Sequence, residues 1–242
     1  IISLVLFPSR LKNFILSSLG WKIGQNVRIG FSYILSKKII IKKNVSIGHG
    51  NYISINNSIK LDENSYLKHM NYITGPLDII LHEKAAIGNL NRIICPPKPI
   101  SWGESKLEIG ILSKVTSRHY LDCIRPITFG NYSILAGNKS QMWTHGFMHA
   151  PDGPGRYRVD GEIFIGDNVY IGTNSIINPG IKISSKVTIG SGSSVSKNIN
   201  EPGLYTNQPL RKIEFDYNEG LKKYPSVDVP PEIGTVVHKK IK

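Results

Sequence analysis

Ile165, Ile171, Ile177, Ile183, Ile189 and Val195 recur at a strict interval of six residues. Val169, Ser175, Ile181, Val187, Ser193 and Ile199 each follow four places later. A helix repeats its buried face about every 3.6 residues and a strand every two, so neither alone makes this beat. Short strands joined by corners do, and three hexads of roughly six residues close one turn of a three-sided coil. The chain is therefore expected to be all-β, a parallel β-helix in which successive turns stack their inward Ile residues.

The beat also runs through Ile23, Ile29, Leu35, Ile41, Ile47, Ile53 and Ile59, with Val27, Tyr33, Ile39, Val45 and Asn51 as partners. It slips by two residues into Leu61, Leu67, Ile73 and Ile79, and by two again into Leu81, Ile87 and Ile93. Ile109 and Val115 recover it, then Phe129 and Leu135. Gly follows the inward residue at Gly24, Gly30, Gly48, Gly88, Gly110, Gly130, Gly166, Gly172 and Gly190, where neighbouring backbones are expected to come close. Asn26, Asn44, Asn131, Asp167 and Asn168 suit corners because Asn and Asp accept left-handed geometry. A solenoid needs no long loops, so the interruptions near 95–106 and 146–162 mark the candidate binding face. The expected organisation is an N-terminal capping segment over 1–20, a β-helix over 21–213, and an extension over 214–242.

Thirty Lys and Arg against seventeen Asp and Glu give a formal charge of +13, which favours anionic partners. No basic run interleaved with aromatics and no known nucleic-acid module accompanies it, so nucleic acid is not the expected partner. Cys95 and Cys123 make no disulfide framework and suit a reducing compartment. The run 1–7 is almost wholly apolar but too short to span a bilayer. Leu11, Phe14, Ile15 and Leu19 then fall on one helical face, with Arg10, Lys12 and Asn13 elsewhere. Two roles follow for residues 1–20: a cap that buries this stripe on the open first coil, or an interfacial helix in peripheral contact with a membrane. The expected location is cytoplasmic, free or at the inner face of the membrane. The chain opens without Met or a leader cleavage pattern, so its start is expected upstream.

Trp143-Thr144-His145-Gly146 precedes the longer interruption, and Ile165-Gly166-Asp167-Asn168-Val169-Tyr170-Ile171-Gly172, Asn178-Pro179-Gly180 and Asn207-Gln208-Pro209-Leu210-Arg211 follow it. With the hexads, this order resembles the left-handed β-helix (hexapeptide-repeat) acetyltransferases, in particular their maltose and polysaccharide O-acetyltransferase branch. The resemblance is most specific over 129–213. The last turn departs from the family's Asn-Pro-Ala-Arg-like form by an inserted Gln208 and by Leu210 in place of Ala.

The resemblance implies a homotrimer with active sites at subunit interfaces, and acetyl-CoA as acyl donor in the cleft between coils, with no metal required. It implies a single His general base that deprotonates a saccharide hydroxyl for direct attack on the thioester. An imidazole is largely free base at neutral pH, and general-base help is worth roughly 10²–10⁴-fold. His145 matches the family His by its Thr-His context, and His149 is the rival. Asp152, Asp160 and Glu162 are in range to orient the base. Gly172 and Thr173 match positions facing the pantetheine arm, Gly190 and Ser191 lie one turn later, and Lys197, Arg211 and Lys212 are candidates for the phosphates. Trp143, Arg156, Tyr157 and Arg158, with Trp102, are candidate acceptor contacts, since aromatic faces and Arg forks suit sugar rings and phosphates.

Surface-polysaccharide synthesis is the expected setting. An amine needs the same base, so N-acetylation of an amino-sugar or an antibiotic is the nearest alternative. A carbonic-anhydrase-type zinc site on His119, His145 and His149, and a non-catalytic scaffold, are the others.

Overall fold

A computed structural model describes residues 9–207 and the segments 226–227 and 237–238. The chain divides into two units, residues 1–207 and residues 208–242. Within the second, Ser226–Val227 pairs antiparallel with Val237–His238. The first is a parallel β-solenoid of about nine turns, whose short strands stack into three sheets of eight, nine and eight strands.

The hexad residues form three continuous inward columns. On the first face Ile23, Ile41, Leu61, Leu81, Ile109, Phe129, Ile165 and Ile183 lie in register. On the second face the column is Ile29, Ile47, Leu67, Ile87, Val115, Leu135, Ile171 and Ile189. On the third it is Ile34, Ile53, Ile73, Ile93, Leu121, Met142, Ile177 and Val195. All but the half-buried Ile23, which packs against the others, are buried, and together they form one core, each large buried side chain contributing about 1.5–3 kcal/mol of transfer free energy.

The register explains the slips. Ile41 stacks on Leu61 and Leu61 on Leu81, a turn of twenty residues, whereas Ile165 stacks on Ile183, a turn of eighteen. Twenty-eight residues separate Leu81 from Ile109, and thirty-six separate Phe129 from Ile165. Both interruptions are thus insertions into single turns. One expectation fails in the first turn, where Ile34 points inward and Leu35 is exposed. The corner from Ile29 to Ile34 is one residue shorter than the corner from Ile47 to Ile53, and a one-residue shift exchanges the faces of a strand.

Corner chemistry divides between residue types. Asn26, Asn44 and Asn168 adopt positive φ. Asn131 and Asp167 do not, and act instead as acceptors: Asp167 Oδ1 receives the Asn131 N–H at 2.6 Å, and Asn131 Oδ1 the Ile111 N–H at 2.8 Å. Gly172 has ordinary φ, but a Cβ there would stand 2.6 Å from Ser191 N, so close backbone packing is what requires it. Between the second and third faces, buried Asn51, Asn71 and Asn91 form a ladder in which each Oδ1 accepts the backbone N–H of the next turn. His119 and Ser140 continue it.

The helix Ser9–Ser18 caps the first turn in an unexpected orientation. Lys12 Nζ donates to Ile29 O at 2.7 Å, Asn13 Nδ2 donates to Val27 O at 2.9 Å, and Leu16 enters the core. Open carbonyls on a terminal coil need donors, so the polar side of the helix turns inward. Leu11, Phe14 and Leu19 stay exposed at 44%, 72% and 54%.

Candidate active site

The third face ends in the corner that carries Trp143 and Thr144, and there the longer insertion leaves the solenoid. It is a β-hairpin, His145–His149 paired antiparallel with Arg156–Asp160, and the chain re-enters the first face at Ile163–Ile165. His145 is therefore held at its base by two structures at once, the last turn of solenoid backbone and the first residue pair of the hairpin.

The partner of His145 comes from the preceding turn. Asp122 closes the strand Tyr120–Asp122 and is only 2% exposed. Its Oδ2 lies 2.8 Å from His145 Nδ1 and also accepts the Thr144 N–H at 3.1 Å and the Thr144 hydroxyl at 2.9 Å. A carboxylate only accepts, so Nδ1 carries a proton, and in the neutral ring Nε2 keeps its lone pair. The Thr144 hydroxyl, placed to donate to Asp122, also receives the Arg125 N–H at 3.0 Å. A buried carboxylate with three donors on one oxygen is fixed in position, and so is the imidazole it holds. None of Asp152, Asp160 and Glu162 fills this role.

Aromatic rings wall the imidazole. Trp143 and Phe147 both approach it edge to face, at 6.3 and 5.9 Å between centroids. Trp143 packs on Tyr120 at 4.9 Å and donates from Nε1 to Gln141 Oε1. Arg156 lies over Phe147 at 4.8 Å, and Tyr157 is exposed. Arg158 has a different place from the expected acceptor contact. It donates to Asp160 Oδ2 at 2.6 Å and to Ile100 O at 2.8 Å. Trp102 Nε1 donates to the same Asp160 oxygen at 3.0 Å, with Arg125 over the Trp102 ring. Asp160 thereby clips the Pro-rich insertion to the hairpin, and Arg158 and Trp102 are occupied in that brace.

The other expected residues are more scattered. His149 is exposed at the far end of the hairpin strand, opposite Arg156. Gly172, Thr173, Gly190 and Ser191 lie at the corner between the second and third faces, where the Thr173 hydroxyl bonds Asn138 O at 2.8 Å. His145 stands at the opposite edge of the third face, so one chain does not bring the two groups together. Lys197 follows the third-face strand of the last turn, on the His145 edge, and lines a groove with Ser194, Asn198, Tyr205 and Asn207. Arg211 and Lys212 fall outside the described residues. His119 is buried with both ring nitrogens bonded, to Ser140 N–H at Nδ1 and Thr116 Oγ1 at Nε2. It cannot join His145 and His149 as a metal ligand in this arrangement, and no group of three metal-ligating side chains converges among the described residues.

Fold and site together define a parallel β-solenoid that holds a carboxylate-oriented histidine at the root of an inserted hairpin. No protein-family model matches the chain. It is 29% identical over 150 residues to galactoside O-acetyltransferase of Escherichia coli, a match that covers 60% of this chain and 70% of that protein. YvoF of Bacillus subtilis is 30% identical over 99 residues, 40% of this chain and 54% of its own length, so the chain spans little over half of that relative. The crystal structure of a Vibrio cholerae hexapeptide-repeat acetyltransferase complexed with acetyl coenzyme A superposes with a TM-score of 0.42 at 21% identity, over 55% of this chain and 68% of that one. The chain is thus similar over part of its length to acetyltransferases, and its hexads build a parallel β-solenoid.

Proposed function

We propose that the protein is an acetyl-CoA-dependent O-acetyltransferase that acts on a sugar hydroxyl, with His145 as general base. The observation that carries this reading is the pairing of buried Asp122 with half-buried His145, which turns Nδ1 to the carboxylate and leaves Nε2 as the free nitrogen of the neutral ring, beside an aromatic wall. The Escherichia coli relative, named for O-acetyl transfer to a galactoside, supports the same chemistry. His145 Nε2 accepts the hydroxyl proton as the sugar oxygen bonds to the acetyl carbon. The carbon–sulfur bond then breaks, and the proton passes from His145 to the departing CoA thiolate. Asp122 stabilises the imidazolium that forms between these events. The developing oxyanion calls for a fixed backbone donor.

A homotrimer accounts for the separation of the expected residues. If the Gly172–Thr173 edge of one subunit meets the His145 edge of the next about a threefold axis, each interface gains a complete cleft. The donor then lies along small residues, with Lys197 placed for a phosphate, and Trp143, Arg156 and Tyr157 face the saccharide. Surface-polysaccharide synthesis is the setting we favour.

The test is acetyl-CoA turnover, followed as thiol release, against oligosaccharides, nucleotide-sugars and amino-sugars. An alkali-labile acetyl ester on a saccharide is the expected product. An alkali-stable amide product would move the assignment to N-acetylation. Failure to bind CoA would overturn the acetyltransferase reading and leave the scaffold alternative.

A further inference from the structure

The N-terminal end of the solenoid combines two properties that the reaction does not use. The first is an apolar helix face left in water. Ser9–Ser18 spends Lys12, Asn13 and Leu16 on the first turn, and Leu11, Phe14 and Leu19 project outward. Phe31 and Leu35, in that same first turn, are also exposed. An outward Phe at 72% exposure gives no packing to its own fold, and clustered large apolar residues at a surface mark an interaction site. In sequence, the residues just before the helix add Ile1, Ile2, Leu4, Val5, Leu6 and Phe7 without a charge.

The second property is charge. Residues 1–61 contain nine Lys and Arg and neither Asp nor Glu, so this quarter of the chain holds nine of its thirteen net positive charges. Lys22, Arg28, Lys37, Lys38, Lys42 and Lys43 are exposed in the first two turns. Lys42 has an acidic partner, Asp62, at 2.9 Å. Among the described residues no helix is long and apolar enough to cross a membrane. A short helix with one apolar face, capping a coil whose first two turns carry exposed cations, is suited to lie in the headgroup layer, where apolar insertion and attraction to anionic lipid add.

We propose that this end of the solenoid docks on an anionic phospholipid surface, with Leu11, Phe14 and Leu19 inserted and the lysines of the first two turns against the headgroups. The docking is separate from the reaction and does not depend on it. An apolar stripe alone would suit a second copy of the chain equally well, but two copies would bring two uniformly basic ends together. Like charge opposes that pairing, whereas an anionic surface neutralises it.

The experiment is cosedimentation of the full chain with vesicles of phosphatidylcholine alone and of phosphatidylcholine mixed equally with phosphatidylglycerol. The expected result is binding to the mixed vesicles only, weakened by salt. Phe14→Asp should lower the partition coefficient about tenfold or more, with the melting temperature unchanged because Phe14 has no core contact to lose. Lys37→Glu with Lys38→Glu should weaken binding and reduce its salt dependence. Absence of binding to the mixed vesicles would overturn the proposal. So would equal binding by wild type and Phe14→Asp, or a self-association that Phe14→Asp abolishes, which would assign the face to a second copy.

Discussion

Replacing Asp122 by Asn isolates what the carboxylate contributes. Its Oδ2 receives three donors: His145 Nδ1–H, the Thr144 N–H and the Thr144 hydroxyl. An Asn amide set with its NH2 at that position would leave the Thr144 N–H without an acceptor, while the Thr144 hydroxyl turns to the backbone carbonyl of residue 122, already 2.9 Å away, so the carbonyl oxygen of the amide must take the place. His145 then keeps its proton on Nδ1 and Nε2 remains the base. The loss is the charge assistance to the imidazolium, about 1–2 kcal/mol as the difference between a charged and a neutral hydrogen bond, or roughly a 5- to 30-fold fall in kcat. Acetyl-CoA turnover at saturating acceptor gives the rate, CoA titration gives donor affinity, and the imidazole nitrogen-15 shifts report the tautomer. CoA affinity and tautomer should be unchanged. Asp122→Ala, which strands the His145 and Thr144 N–H donors, should cost at least ~10²-fold and about 2–4 kcal/mol of stability. A fall of ~10⁴-fold in Asp122→Asn would mean that the tautomer had changed and would refute the Thr144 clamp. An unchanged rate would refute the pair as part of the reaction.

Gly172→Ala places a Cβ 2.6 Å from Ser191 N, with its three nearest neighbours all backbone atoms, so thermal melts should show a loss of about 1–3 kcal/mol. His119 gives an acid-sensitive stability. Burial holds its imidazole pKa down to about 4 from 6.5, so its contribution is intact above 6.5 and is lost as pH falls towards 4, a total of about 3 kcal/mol. His119→Asn extends the Asn ladder and should flatten that slope in urea titrations between those limits. A slope unchanged by the substitution would assign the acid sensitivity elsewhere. Trp102→Phe removes the indole donor from Asp160 but keeps a ring under Arg125. Amide exchange in His145–His149 and Arg156–Asp160 should speed up about fivefold, with the global melt unchanged.

The six-residue beat makes the solenoid and both insertions legible in the sequence, because an inward column leaves the same apolar residue type at a fixed interval. It could not give the length of an individual corner. Twenty-residue turns show as slips of two, but Ile34 takes the inward place of Leu35 through a single corner shortened by one residue. Asp122 was missed for a related reason. It stands twenty-three residues before His145, between Leu121 and Cys123, and only the register of Leu121 on Met142 brings the two together. A signal was present, since an acid among inward apolar residues one turn before a Thr-His pair is out of pattern, but its reading needs the turn length. The helix shows another limit. Periodicity located the stripe of Leu11, Phe14 and Leu19, yet which side faces the coil is decided by the carbonyls of Val27 and Ile29, which attract Asn13 and Lys12. Likewise Arg156 and Arg158 look alike in sequence, and only the position of Asp160 commits Arg158 to the brace.

The most direct measurement is thiol release from acetyl-CoA by wild type and His145→Ala, with CoA affinity measured on both. The expected result is a fall of ~10²–10⁴-fold in turnover with CoA affinity retained, since the variant loses only the base. Turnover equal to wild type in His145→Ala would contradict the assignment of His145 and move the base to His149.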